Sequence, residues 1–582
     1  MHARTHRQRL YTAITNAMVS SLLILLMLVG FLFTTHTAHA TVTTYPAASW
    51  WSGQNCDESF YESNDPGSEQ VELKFSWRGI QVCAYGDGQN ANFSNVTRSA
   101  PEGTAMLEWQ CTELVKRFLY LAYGAPPISN AGGDQIVDRY EEEYPDMFEK
   151  VDNPNNGTTQ RWPKAGDVVS YSTVHTAIIS NVAITDAANG DATLTIIEQN
   201  AANSGSTSAV MDNWVIQGGV DDPTGSGADT ITEWLTPRWA NNSPSANTEH
   251  ILYGTAATST SNVWAVGYDQ PSGSSQKPVT YLYNGSSWTK YSPTLPGSGH
   301  HDLFGVEAIS SSDAWAVGSY VNSTRKTMAF HWTGSSWGSK VTSADPSTGT
   351  NPANEFYDVE YDGTDTWAVG MYRTNQVPQP MIQKWNGSNA FTDQSPLLPP
   401  GATGGQLYGV DFSSSTNGWA VGQDESGSKD RYLVYRYDGS SWAGITGSTG
   451  PAALTSIYAV SDTEAWAVGS SGSGALVMHY TSGGGWQQDV TATNSAWMPT
   501  NATLKGVSGD GASNIWIVGY KGAQPMAWHY DGTDWTKANP PYEGTASAGS
   551  SLRGVTVISG DAWAVGASRS GSLNWPLTYL WD

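Results

Sequence analysis

Three short segments in the first half of the chain hold residues whose types and spacing suit thiol–imidazole chemistry. Cys111 opens the run CTELVKRFLYLAYG. Leu114, Val115, Phe118, Leu119 and Ala122 recur at helical spacing, and Glu113 and Arg117 make an i,i+4 pair. Gly124, Pro126 and Pro127 then stop the pattern, so a helix is predicted with the cysteine at its start. A thiol there meets the positive end of the helix dipole, which favours the nucleophilic thiolate. His175 stands between two runs of strand character, 167–171 and 176–182. It is the only histidine between residues 41 and 249, so a thiol in this half has no other imidazole to draw on. In ATLTIIEQNA, Leu194, Ile196, Glu198 and Asn200 share one face of a predicted strand. A carboxylate at the end of that stripe is placed to orient an imidazole and to stabilise its charged form.

The elements that position these groups belong to an exported, multidomain chain. Its 582 residues exceed one core. Arg4, Arg7 and Arg9 precede the apolar run Leu22–Phe33, and Ala38-His39-Ala40 fits cleavage after Ala40, so 1–40 reads as a signal peptide. Residues 10–33 are also long enough for an uncleaved N-terminal membrane anchor, and either reading leaves the remainder extracytoplasmic. Outside the cell cysteines pair, but Cys56, Cys83 and Cys111 are an odd number; pairing Cys56 with Cys83 would leave Cys111 as the free thiol. No Cys-x-x-Cys spacing is present, and neither metal nor cofactor is expected. The net charge of −25 repels phosphate backbones and argues against a nucleic-acid partner.

The second half repeats. Trp-Ala-Val-Gly starts at Trp264, Trp315, Trp367, Trp419, Trp466 and Trp563, with Trp-Ile-Val-Gly at Trp516. The spacings are 51, 52, 52, 47, 50 and 47 residues, the period of a propeller or solenoid. Each unit has an apolar stretch before the tryptophan and an alternating stretch after it, closing on Asn-Gly or Asp-Gly and a second aromatic, as in YRYDGSSW. Such turns join hairpins, so each unit reads as four short strands, one blade. The last unit ends at Asp582 without a fourth strand. WANNSP from Trp239 resembles WTKYSP from Trp288, so the strand near Trp239 is predicted to complete the last blade. The repeated tryptophans read as packing between blades. The repeats resemble kelch-like and Asp-box-like proteins only loosely.

The order of a cysteine at a helix start, Gly166-Asp167-Val168 ahead of a histidine-led strand, then Glu-x-Asn resembles the CHAP family of cysteine, histidine-dependent amidohydrolases and peptidases. The resemblance covers roughly residues 75–237. Trp109 to Phe118 is similar to glutathionylspermidine-amidase-type members, while Val174 departs from the glycine the family has before its histidine. The resemblance implies a papain-like α+β fold, with Cys111 as nucleophile, His175 as general base, Glu198 as orienting acid and Asn200 as auxiliary polar group. The Cys111 N–H and Gln110 would hold the oxyanion. The expected architecture is a CHAP amidohydrolase domain over 41–237 followed by an all-β seven-bladed propeller over 238–582. With export, the expected substrate is peptidoglycan or another extracellular amide, cut as a muramoyl-alanine amidase or as a stem or bridge endopeptidase. The propeller would bind wall glycan or a surface protein. Two other readings are a glutathionylspermidine-like amidase, whose cytosolic substrate is at odds with export, and a non-enzymatic surface adhesin or scaffold.

Overall fold

The computed structural model describes residues 111–581 apart from 129–130, 199–205, 218–229, 350, 426–430, 446–451, 473, 490–497, 500, 542–548 and 571–572; before residue 111 it describes four short strands. These are the antiparallel pairs β1 (Val71–Trp77) with β2 (Ile80–Tyr85) and β3 (Thr97–Ser99) with β4 (Ala105–Leu107).

Helix α1 spans Cys111–Tyr123. Gly124, at φ 68°, ends it, donating its N–H to the Tyr120 carbonyl. A second helix, α2 (Ile136–Glu143), leads into β5 (Phe148–Asp152), β6 (Val168–Tyr171), β7 (Thr176–Asp186), β8 (Asp191–Ile197), β9 (Ser206–Asp212), β10 (Val215–Gln217) and β11 (Ile231–Pro237). These strands form one antiparallel sheet in the order β10-β9-β8-β7-β6-β11-β5. Leu114, Val115, Phe118, Leu119 and Ala122 are all buried, and pack with Val168, Ile178, Ile197 and Leu235 of the sheet. Burying each large side chain of that face stabilises by about 1.5–3 kcal/mol. Val169, Ala177, Ile179, Leu194 and Ile196 belong to a second core with Trp214 and Trp234. Two-sided burial explains the apolar run of β6 and the start of β7, residues 176–179.

The propeller begins one residue after β11. Blade one is a meander of Glu249–Ser259, Asn262–Gln270, Lys277–Tyr283 and Trp288–Tyr291. Blades four, five and six repeat it. Two blades differ from the predicted four strands. In blade two the outer strand shrinks to one bridge between Trp332 and Trp337, and blade three gains a fifth, parallel strand, Thr342–Ser343. Blade seven has three strands from the C-terminus, and its fourth is Trp239–Asn241, with Trp239 paired to Trp581. The ring is therefore latched by a strand from the start of the propeller, as the shared WANNSP pattern predicts.

The Trp-Ala-Val-Gly repeat has two physical causes. Every tryptophan packs on aromatics of the following blade: Trp264 on Trp332 and Trp337, Trp419 on Tyr480 and Trp486, Trp563 back on Tyr283 and Trp288 of blade one. Trp516 packs on Trp581 and on the latch residue Trp239. The glycine faces an irregularity in the inner strand. In blade one the pairing passes from Leu252↔Gly267 to Gly254↔Val266, so Tyr253 is bulged out, and a Cβ on Gly267 would lie 1.8 Å from the Ile251 carbonyl oxygen. The same one-residue shift recurs in all seven inner strands.

The two halves meet through directed polar contacts. Asp146 accepts from His529 Nδ1 at 3.0 Å and from the Thr536 hydroxyl, and its carbonyl accepts from Trp581 Nε1 at 2.8 Å. Burial opposes the charged form of Asp146, but His529, Thr536 and Arg238 together hold its carboxyl below the usual range. Lys537 Nζ donates to the Gly124 carbonyl at 2.9 Å.

Candidate active site

Cys111 is the first residue of α1 and is 7% exposed. His175 sits where the short turn between β6 and β7 ends, its N–H on the Thr173 carbonyl and its own carbonyl accepting the Tyr171 N–H. Glu198 follows β8 directly. The pairing of Ile178 with Ile197 sets residue 198 across from Ala177, two residues along from His175, so both side chains leave the sheet on one face. His175 Nε2 lies 3.0 Å from Glu198 Oε2, and the Cys111 thiol is near enough to act on the same imidazole and favour its charged form. With Nε2 on the carboxylate, the ring nitrogen left for the thiol is Nδ1.

The electrostatics follow from burial against partnership. Burial disfavours the imidazolium, yet the bonds to Cys111 and Glu198 and their charges outweigh it, and His175 is raised to about 9. Glu198 is fully buried. A buried carboxylate without a counter-charge is costly, so its neighbour is held as a cation. Among the described residues Glu198 Oε1 has no hydrogen-bond partner. Lys116 is buried within α1, and burial lowers its ammonium while the Cys111 charge acts in the opposite direction.

Several supporting residues carry little sequence signal. A Cβ on Gly133 would lie 2.4 Å from the His175 carbonyl carbon, so only glycine lets that turn press on the histidine backbone. The Ser170 hydroxyl donates to the Gly133 carbonyl at 2.9 Å and accepts from the Val137 N–H at 3.4 Å, clamping the turn to β6. The Tyr171 ring stands 5.1 Å from the imidazole. The Gly132-Gly133 pair was the one readable cue, since adjacent glycines mark close backbone approach. Val174, at the position of the family's glycine, is 71% exposed and points away from the core.

The strand predicted to carry Glu198 and Asn200 ends at Ile197, so Glu198 lies just beyond the ladder rather than within it. Asn200, Gln110, Cys56 and the leader 1–40 lie outside the described residues, and Cys83 falls on β2 with its side chain undescribed. Among the described residues, no group of three or more histidine, cysteine, aspartate or glutamate side chains is placed to hold a metal ion.

No family model and no curated protein matches the chain. Among solved structures, the WD40 β-propeller domain of Doa1 is similar at 9% identity, covering 59% of this chain and 96% of that one with a TM-score of 0.37. The β-propeller domain of the Trilobed protease from Pyrococcus furiosus is similar at 8% identity, covering 57% and 96% with a TM-score of 0.37. Trypanosoma rangeli sialidase in complex with sialic acid is similar at 10% identity, covering 60% and 55% with a TM-score of 0.35. Strand order and register define what the chain itself contains, a seven-bladed all-β propeller.

Proposed function

We propose that the chain is an extracytoplasmic cysteine amidohydrolase acting on amide bonds of peptidoglycan, with the propeller as a binding module for wall glycan or a surface protein. The observation that carries the reading is His175 bonded at 3.0 Å to a fully buried glutamate, with the Cys111 thiol acting on the same imidazole. The order nucleophile, base, orienting acid is then that of a cysteine hydrolase. The resemblance to the CHAP family supplies the reaction class, and the export signal supplies the substrate.

In the proposed reaction the Cys111 thiolate attacks the amide carbonyl carbon, forming the C–S bond. The Cys111 N–H at the helix start faces the developing oxyanion. His175 gives its proton to the amine nitrogen as the C–N bond breaks. Water, deprotonated by the now neutral His175, attacks the thioester carbon; the C–S bond breaks, the acid leaves, and the Cys111 thiolate and His175 imidazolium are restored. Glu198 holds the ring and its charge throughout.

The test is a digest of isolated peptidoglycan by the parent protein and by Cys111→Ala, with fragments read by mass spectrometry. Cys111-dependent fragments support the reading, and their masses name the bond. Intact peptidoglycan with the parent protein overturns the substrate assignment. Equal activity in the parent and Cys111→Ser overturns the chemistry.

A further inference from the structure

The propeller channel carries charge that blade packing does not require. In every blade the bulged residue of the inner strand lines a cavity of about 640 Å³. Bulges re-aim a side chain out of the ladder, so this position is where the repeat presents chemistry. Blades one to four place Tyr253, Phe304, Tyr357 and Tyr408 there, ring following ring at centroid distances of 5.3, 5.6 and 5.4 Å. Blade five places Thr455, and blades six and seven place Lys505 and Arg553. The Arg553 guanidinium lies 5.0 Å from the Tyr253 centroid, which closes the circle. A position that served packing alone would repeat one residue type, as the buried tryptophans do; this one is divided into an aromatic arc and a cationic arc.

The cations are unbalanced. Other residues make the propeller's ion pairs, among them Arg325 with Glu355 and Arg431 with Asp424. Among the described residues Lys505 and Arg553 make none, and Arg553 Nε is buried without a hydrogen-bond partner. Burial and the neighbouring Arg553 both push the Lys505 ammonium down. Three residues further along the inner strands of blades two, three and four stand Glu307, Glu360 and Asp411, also lining the cavity. Burial raises all three and so does the charge of Asp358, which also lines the cavity; Glu307 rises to about 8 and Asp411 to about 7. Three strand residues span about 10 Å, so opposite charges face a ligand-sized space from two levels.

We propose that the channel binds a short zwitterionic peptide, its carboxylate between Lys505 and Arg553, its backbone against the aromatic arc, and its ammonium at Glu307, Glu360 and Asp411. An extended tripeptide reaches about 10 Å between its charged ends. A carboxylate relieves the repulsion between the two cations, and an ammonium does the same for the three acids. The inference stands without the thiol chemistry, since none of its residues belongs to the Cys111 site.

The test is isothermal titration of the full chain carrying Cys111→Ala with tri-alanine, its C-terminal amide and its N-acetyl derivative. Tri-alanine is expected to bind. The amide is expected to bind at least about tenfold more weakly, as is tri-alanine to Lys505→Gln or Arg553→Gln, a loss of about 1.4 kcal/mol. The N-acetyl derivative is expected to lose less, because three acids share one charge. No binding of tri-alanine, equal affinity for the amide, or unchanged affinity in both variants would overturn the proposal. Should a variant fail to fold by thermal melting, the amide comparison on the parent decides.

Discussion

The two halves of the molecule each contain histidine–carboxylate pairs of nearly the same length, and only one pair has the makings of a site. In the propeller His331 lies 2.8 Å from Asp313 and His479 lies 3.0 Å from Glu464. Both imidazoles stack on the repeat tryptophan of their blade, His331 on Trp315 at 4.3 Å and His479 on Trp466 at 3.8 Å. The equivalent position carries Lys384 beside Trp367 and Arg436 beside Trp419. That position calls for a side chain that covers an indole, and histidine is one solution among several. His175 differs in what surrounds it: its carboxylate is fully buried, and a thiol sits on its other side. Length alone does not separate a packed histidine from a working one; desolvation of the acid and the presence of a nucleophile do.

The largest expected effect tests that separation directly. Cys111→Ala and His175→Asn are each expected to lower amide hydrolysis by about 10³-fold or more, because thiol and imidazole act as a unit. Alkylation of Cys111 by iodoacetamide at neutral pH should slow with His175→Asn even where no substrate is turned over. Unchanged alkylation would mean that the imidazole does not act on the thiol.

Trp239→Ala tests the comparison from the propeller side. Trp239 is buried, donates Nε1 to the Ala538 carbonyl and packs edge-on against Trp516. Its loss is expected to cost about 3–5 kcal/mol. Deleting residues 238–248 should cost more, since the whole latch strand goes. Thermal melts of the full chain check both, and an unchanged melt would mean that the ring holds without its latch.

How much of this was legible in the sequence follows from how local each feature is. The propeller announces itself because a tryptophan and a glycine recur for packing reasons that every blade shares. The face of α1 is readable from spacing, and the latch from the likeness of two short segments. The bulge was not legible: it needs the glycine on one strand and the residue across from it on another. For the same reason Tyr253 and Arg553, 300 residues apart, gave no hint of meeting at one channel wall. Cys111, His175 and Glu198 stood out as candidates because each sits at an element boundary. For Gly133 the adjacent glycine was the one cue, and it did not name His175, because that contact depends on how a turn outside the sheet is clamped by Ser170.

Gly133→Ala therefore asks whether that clamp positions the imidazole. The added methyl must displace the His175 backbone, and a shift near 1 Å in a reacting group costs about 100-fold. The loss should fall on turnover, with the melting temperature nearly kept. A lost fold would instead make Gly133 a residue of the core.

Glu198→Gln comes next, with a loss of activity smaller than that of Cys111→Ala or His175→Asn and a distinctive pH signature. The folded protein favours the His175 imidazolium, so that contribution to stability is complete below the ordinary value of 6.5 and is lost as pH rises through about 9. Removing the glutamate charge should move the alkaline limb of the activity profile down from about 9 towards 6.5, and flatten the fall in melting temperature across the same interval. A limb that stays in place would assign the raised imidazole to Cys111 alone.

The smallest expected effect is the one that most sharpens the comparison. His479 and Glu464 keep about a third of their side-chain surface exposed, at 30% and 27%, where an ion pair contributes about 0–1 kcal/mol. His479→Asn keeps a flat polar group near Trp466 and removes only the imidazole's contact with Glu464. Hydrolysis and Cys111 alkylation should match the parent, and the melt should move by no more than a degree or two. A large loss of hydrolysis with an unchanged melt would break the division between the two halves, because it would give a propeller histidine a catalytic partner that stacking on an indole does not supply.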